Sequence, residues 1–351
     1  MFYSKRLEEA TPTSFFLNNP TPSEAKAALE IGNVIGIVTN GNYLKRMLTT
    51  PETKDSTIAC IDRFIAEGIE DDQLIVALAA QEALKKCASY YLPMFEKTQG
   101  AMGWAAIQGN PNRDTDYDFM VAEAKRFYGV TPNMRVKFPA TVEAMQALET
   151  MTGEGKATLA TCGFSVQYAA AAMEAYKRGC EKFGQGVPRL YVTLLAGHID
   201  EYLEKYVKAN AITISPDVLS KAGCEIAKEV YKTWKEKYHN LNCRILGGCR
   251  ATWHYTEMVP GDMSVTVNYD FIEKLNALDP KIESRIDVRE SDAVVNELKE
   301  KLPAFAFSIS QDSRIYQHWS LVPTALYFRN YVRAGWNTAA ATVRERRLMF
   351  R

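Results

Sequence analysis

Eight short apolar segments alternate along this chain with longer stretches that open on helix-start signals, and that alternation limits the fold more than any other feature. The segments are Ser14–Asn18, Val34–Thr39, Trp104–Gln108, Met134–Phe138, Ala157–Thr161, Leu190–Leu194, Arg244–Gly248 and Ser264–Val267. They are too short for helices, and their nearly continuous apolar character marks strands buried on both faces, as in a parallel sheet. Between them, Thr21-Pro22-Ser23-Glu24 reads as N-cap, first-turn proline and capping-box glutamate, leading into Ala25–Ile31. Thr50-Pro51-Glu52 repeats the pattern before a helix to about Ala66, and Ser215-Pro216-Asp217 opens one ending near Lys237. Further helices are expected at Asp72–Ala88, Tyr117–Phe127, Val142–Met151, Ser165–Phe183 and Ile199–Ala209. Eight alternating pairs favour a (β/α)₈ TIM barrel over a doubly wound sheet. A length of 351 residues suits two domains, or one barrel with extra elements.

Extra elements are expected in two places. Residues 40–103 separate the second and third strands and hold at least two helices. The barrel is assigned to residues 1–278 and a helical C-terminal extension to residues 279–351, with helices at Ser291–Leu302 and Val322–Tyr331. That extension is rich in aromatics (Phe305, Phe307, Tyr316, Trp319, Tyr327, Phe328, Tyr331, Trp336). It is read as packing on its own barrel or on a neighbouring subunit of a homo-oligomer.

Composition removes several function classes. Forty-two basic residues balance 42 acidic ones. A nucleic-acid partner is therefore not expected, since phosphate neutralisation needs a basic surface. No apolar run approaches the ~20 residues of a membrane span, and Met1–Arg6 lacks the apolar stretch of a secretory signal. The seven cysteines are scattered without a Cys-x-x-Cys pair, which suits the reduced thiols of a cytoplasmic protein. The four histidines include no i, i+4 pair, so neither a metal nor another cofactor is expected. Gly153/Gly155 and Gly247-Gly248 match no phosphate-cradling loop and suit turns or close packing.

In a barrel, chemistry belongs at the C-terminal strand ends. The polar residues there include Asn18, Thr39, Asn40, Gln108, Lys137, Thr161, Thr193, Cys249 and Arg250. Lys137 stands out. A lysine pointing into a barrel sheds water, which lowers its pKa and exposes a nucleophilic amine; the competing reading is a strand-end lysine snorkelling to solvent. The asparagines could orient a carbonyl or hydroxyl, or serve turns and caps. Gln108 could position a water but cannot take a proton near neutral pH.

Taken in order, Phe15-Phe16-Leu17-Asn18, Ile37-Val38-Thr39-Asn40 and Val136-Lys137-Phe138-Pro139-Ala140-Thr141 resemble the motifs of the transaldolase family. Thr158 through Ser165, Tyr191-Val192-Thr193 through Asp200, and Ile245 through Arg250 are similar to its fifth, sixth and seventh strands. The resemblance runs from about Ser14 to Leu275. It implies a class I enzyme in carbohydrate metabolism, such as the pentose phosphate pathway. In that reading Lys137 forms a Schiff base with a ketose, Asn40 and Thr161 orient the donor hydroxyls, and Gln108 holds the water of imine formation. Thr39, Thr193, His198, Cys249 and Arg250 complete the sugar site. The partner implied is a small-molecule sugar.

The departures from the family pattern carry information too. Its first-strand acid/base Asp falls on Asn18, which cannot titrate. The proline after its Thr-Asn is Gly41, and its third-strand Glu falls on Gln108, as in the fructose-6-phosphate aldolase branch. Its two phosphate-binding arginines fall on His198 and Ala251, with Arg250 one position away. A water, His198 or Tyr191 is left to carry the C4 hydroxyl proton. Phosphorylated ketoses are expected to be poor substrates beside a ketose with a neutral or otherwise anionic terminus. Three readings stay open: a transferase, a lyase of the fructose-6-phosphate-aldolase type or one acting on an unphosphorylated sugar, and a barrel that only binds.

Overall fold

A computed structural model describes residues 2–311 and 318–350; Tyr316 of the aromatic tail lies outside them. The eight apolar segments form parallel strands: β1 Ser14–Asn18, β2 Val34–Val38, β3 Trp104–Gln108, β4 Met134–Phe138, β5 Thr158–Ala160, β6 Leu190–Leu194, β7 Cys243–Gly248 and β8 Ser264–Val267. They close into one barrel in sequence order, β1 pairing with both β2 and β8. The fold is the expected TIM barrel, and strand ends shift by a residue at most. Alternation along each strand sends Phe16, Ala106, Leu159, Tyr191 and Leu246 into the barrel, where they pack as an inner cluster with Ile35 and Val38. The outward residues, such as Leu17, Ile107, Val136 and Val192, join the larger core beneath the helices.

Local chemistry accounts for the helix starts. Thr21 and Glu24 form a complete capping box ahead of helix Pro22–Ile31, with Pro22 in its first turn. Ser165 caps Val166–Phe183 by accepting from the Tyr168 N–H. The expectations failed where tertiary contacts outweighed local signals. The start at Thr50-Pro51 was premature: Thr50 ends a short helix, Tyr43–Thr49, and the next begins at Lys54. The helix from Ser215 is two, Pro216–Leu219 and Ala222–Lys237, parted where Gly223 gives its N–H to buried Asp200. Helix Asp72–Lys97 outruns its expected end at Ala88 through an internal Pro93; beyond it, Phe95 packs edge-on against Trp104 at 4.7 Å.

The tail differs most from expectation. Its last helix runs from Pro323 to Met349, well past Tyr331. Ala325, Phe328, Val332, Trp336, Ala339 and Val343 form a buried stripe at helical spacing. Ion pairs tie its outer edges to the barrel's own helices and loops: Arg329 and Arg333 to Asp114, Arg346 to Asp62, and Arg347 to Asp72. The helix also comes down onto the loop after β2. A Cβ at Gly41 would lie 2.6 Å from the Val332 carbonyl oxygen, and one at Gly335 would lie 1.8 Å from Asn42 Oδ1. Glycine at position 41, where the family carries proline, therefore has a steric cause.

Candidate active site

The site is built on the inward side chains at the C-terminal end of the barrel. Lys137 on β4 stands in register with Gln108 on β3 and Leu159 on β5. It is 7% exposed, and its Nζ donates to the main-chain oxygen of Thr39 at 2.7 Å. The apolar inner cluster forms the floor. Burial away from water penalises the ammonium form, and it pushes the Lys137 amine down to about 8. An amine with that pKa is roughly one-tenth neutral at pH 7, against roughly one in a few thousand for an ordinary lysine. The snorkelling reading of Lys137 is thereby set aside.

Above Lys137 lies a narrow chamber that opens to solvent. Eight residues singled out from the sequence line it: Asn18, Asn40, Lys137, Thr161, Thr193, His198, Cys249 and Arg250. Asn18 gives its Nδ2 to Asn268 Oδ1 at 2.9 Å, which leaves its own Oδ1 as an acceptor. Asn40 Oδ1 accepts from Asn19 Nδ2 and from the Asn42 N–H, which leaves its Nδ2 as a donor. Asn40 therefore serves the turn and presents a donor as well. Thr193 Oγ1 is buried with no partner among the described residues. Cys249 contributes to the wall, but its thiol sits 4.0 Å from Met258 Sδ, toward the core.

Two expected residues stand off this wall. The Thr39 hydroxyl donates to Ala106 O at 3.2 Å, so the contribution of Thr39 to the site is its carbonyl on Lys137. Gln108 sits beside Lys137 on the neighbouring strand, its Oε1 buried without a partner among the described residues. Tyr191, one of the groups that could carry a proton, lies in the floor instead, its ring edge-on to Phe16 at 4.9 Å.

His198 is occupied on both faces. Its Nε2 is 2.9 Å from Arg250 Nη2, and its ring packs edge-on against Phe328 with centroids 4.4 Å apart. Arginine can only donate, so Nε2 is the acceptor and the ring is neutral. Burial, and secondarily the Arg250 charge, hold its pKa well below the usual histidine range. Arg250 is placed in turn by its main chain: His254 Nδ1 accepts the Arg250 N–H, and His254 Nε2 lies 2.7 Å from Asp200 Oδ2.

Sequence reading missed Asn268, Thr266, Leu195 and Phe328 on the chamber wall. Asn268 stands just past β8 and had a signal, being a polar residue at a strand end. Phe328 had none beyond its place in an aromatic tail. No carboxylate among the described residues lines the chamber. A second, wider chamber shares Asn18, Asn40, Arg250 and Asn268 with the first. The described residues hold no cluster of three His, Cys, Asp or Glu side chains that could grip a metal, and no helix among them is long and apolar enough to cross a membrane.

Comparison with known proteins places this arrangement. The model of the transaldolase/fructose-6-phosphate aldolase family matches residues 15–313. A transaldolase of Mycobacterium tuberculosis is 24% identical over 256 residues, covering 68% of this chain and 66% of its own length. One from an Arthrobacter strain is 24% identical over 230 residues, covering 64% of this chain and 61% of its own. One from Mycolicibacterium paratuberculosis is 25% identical over 271 residues, covering 72% and 70%. The chain thus spans less than two thirds of the length of the first two relatives.

Proposed function

The chain belongs to the transaldolase/fructose-6-phosphate aldolase family, and on that premise we propose that it is a class I enzyme that moves a dihydroxyacetone-type unit from a ketose to an aldehyde through Lys137. The observation that carries this reading is the amine itself: buried, aimed into the barrel, with a pKa pushed down to about 8 and an N–H held by the Thr39 carbonyl. That bond orients the neutral amine while its lone pair stays free for attack.

Lys137 Nζ adds to the C2 carbonyl of the ketose. The carbinolamine loses its oxygen as water, and the nitrogen becomes an iminium. The C3–C4 bond then breaks: its electrons move into the iminium to give a neutral enamine, and the C4 hydroxyl becomes the leaving aldehyde as it gives up its proton. Addition of the enamine carbon to an acceptor aldehyde and hydrolysis of the new iminium complete the transfer. Reprotonation of the enamine in place of addition gives simple cleavage. Asn40 Nδ2 donates to a donor hydroxyl oxygen, Thr161 and Thr193 offer hydroxyls, and Gln108 holds the water of imine formation. Asn18 Oδ1 accepts a hydrogen bond from the C4 hydroxyl but cannot keep its proton. With Nε2 of His198 already taken by Arg250 and no carboxylate on the wall among the described residues, that proton passes to a water.

Borohydride reduction in the presence of a ketose tests this reading, because only an imine becomes a stable secondary amine. Mass spectrometry should locate one adduct on Lys137, and Lys137→Met, which keeps chain length and removes the amine, should lose both adduct and cleavage. A folded parent protein that forms no adduct with any ketose, phosphorylated or not, would favour the barrel that only binds.

A further inference from the structure

Two residues before Lys137 on β4, and so on the same inward face, stands Arg135, a charge that the chemistry at Lys137 does not use. Its side chain turns the other way, toward the N-terminal end of the barrel. Nη1 donates to the main-chain oxygen of Thr158 at 3.0 Å and to that of Arg189, at the start of β5 and just before β6. The guanidinium is fully buried, held against the rings of Trp104 and Tyr191 with centroids 4.6 and 4.8 Å away. Burial pushes its pKa down to about 10, which leaves it charged at neutral pH. Nε and Nη2 have no partner among the described residues, and neither has the hydroxyl of Tyr191.

A buried charge left unpaired is among the most costly features a core can hold. Two ring faces and two carbonyls lower that cost, but they supply no opposite charge. The acidic side chains at this end are engaged elsewhere: Glu154 pairs with Lys125 at 2.9 Å, and Asp262 pairs with Arg244. Arg189 adds a second cation, half-buried, whose Nε donates to Asn242 Oδ1 and which forms no ion pair among the described residues. Arg189 and Trp104 both edge a pocket formed where the chain enters β3, β6 and β7. Both also touch Arg135, so this pocket brings solvent to within one residue of the guanidinium.

What the guanidinium lacks fixes the class of ligand. It presents three free N–H donors, one on Nε and two on Nη2, and it can accept nothing. A water satisfies two of them, carries two donors of its own that need acceptors, and brings no charge. An anion accepts all three and neutralises the arginine. The setting between two rings favours a small ion that sheds its water cheaply, which a halide does more readily than phosphate or sulfate. We propose that Arg135 binds a small inorganic anion of the chloride class inside the N-terminal half of the barrel, at the opposite end from Lys137 and independently of the reaction there. The ion serves the fold, as the counter-charge of an arginine that the chain itself leaves unpaired.

The experiment compares melting temperatures in sodium chloride and in sodium gluconate, whose anion is too large for the site, at equal ionic strength. Chloride should raise the melting temperature of the parent by roughly 2–4 °C for each tenfold increase above its dissociation constant. Arg135→Met keeps most of the bulk and removes the charge. It should fold, since an apolar group of similar volume is tolerated where a buried ion stood, and it should lose that rise. No chloride-specific rise in the parent, or an equal rise in Arg135→Met, overturns the assignment. If Arg135→Met does not fold, crystals of the parent soaked in sodium bromide decide. An anomalous peak within hydrogen-bond reach of Arg135 Nη2 supports the site, and no bromide there overturns it.

Discussion

The two chambers at the barrel mouth use the same residue type to opposite ends. Lys137 in the inner chamber is closed in by the apolar floor, and loss of water turns its amine toward the neutral form. Lys45 in the outer chamber stands exposed to solvent. Surroundings, not residue identity, set how readily a lysine gives up its charge. The C-terminal helix serves both chambers, for Phe328 walls the inner one and Tyr331 the outer.

That shared wall offers the strongest way to break the contrast. Arg329 is 7% exposed and binds Asp114 through two nitrogens, at 2.8 and 2.9 Å, while Arg333 holds the same carboxylate. Arg329→Met should destabilise the fold by about 3 kcal/mol, the lower end for breaking a buried pair, because Arg333 remains. Denaturant unfolding measures this, and adduct formation should fall for phosphorylated and neutral ketoses alike as Phe328 and Tyr331 lose their anchor. Unchanged stability would mean that the helix is held by its apolar stripe alone.

A smaller change tests the inner chamber by itself. Asn18→Asp puts a carboxylate on the Lys137 wall. An opposite charge stabilises the ammonium, so the pH midpoint of adduct formation should move up from near 8 by about one unit. Adduct formation in the parent rises with pH through that midpoint as the neutral amine accumulates; in the variant the rise comes later, and at pH 7 the rate drops roughly tenfold. An unmoved midpoint would show that the new carboxylate faces away from the amine.

The smallest effect belongs to salt. Lys45 in the outer chamber is open to solvent, so raising ionic strength from about 0.01 to 0.15 M, which shortens the screening length from roughly 30 to 8 Å, should weaken capture of a phosphorylated ketose a few-fold. The pH midpoint for a neutral ketose should hardly move, since burial sets it. Equal sensitivity of the two would erase the distinction between the chambers.

The barrel was legible in the sequence because its determinants are short-range. A strand buried on both faces needs an apolar run, and a helix needs a cap within four residues of its start, so β1 to β8 and the Thr21–Glu24 box could be read directly. Lys137, Asn18 and Asn40 were found for the same reason: polar residues that end apolar strands point to the mouth of a barrel. Their meeting in one chamber follows from closure, which brings all the strand ends to one rim. What no local window holds is the partner of each group. Asn268 on Asn18, Arg250 on His198 and Phe328 over His198 join residues that are far apart in the chain. Gly41 reads as a lost proline until the Val332 carbonyl is seen above it, and Lys45 reads as one more surface lysine until it shares a wall with Arg250. The sequence determined which groups reach the rim. Tertiary structure decided which of them shed water and which stayed open to it, because desolvation and Coulomb interaction act through space and depend on neighbours that the chain supplies from anywhere along its length.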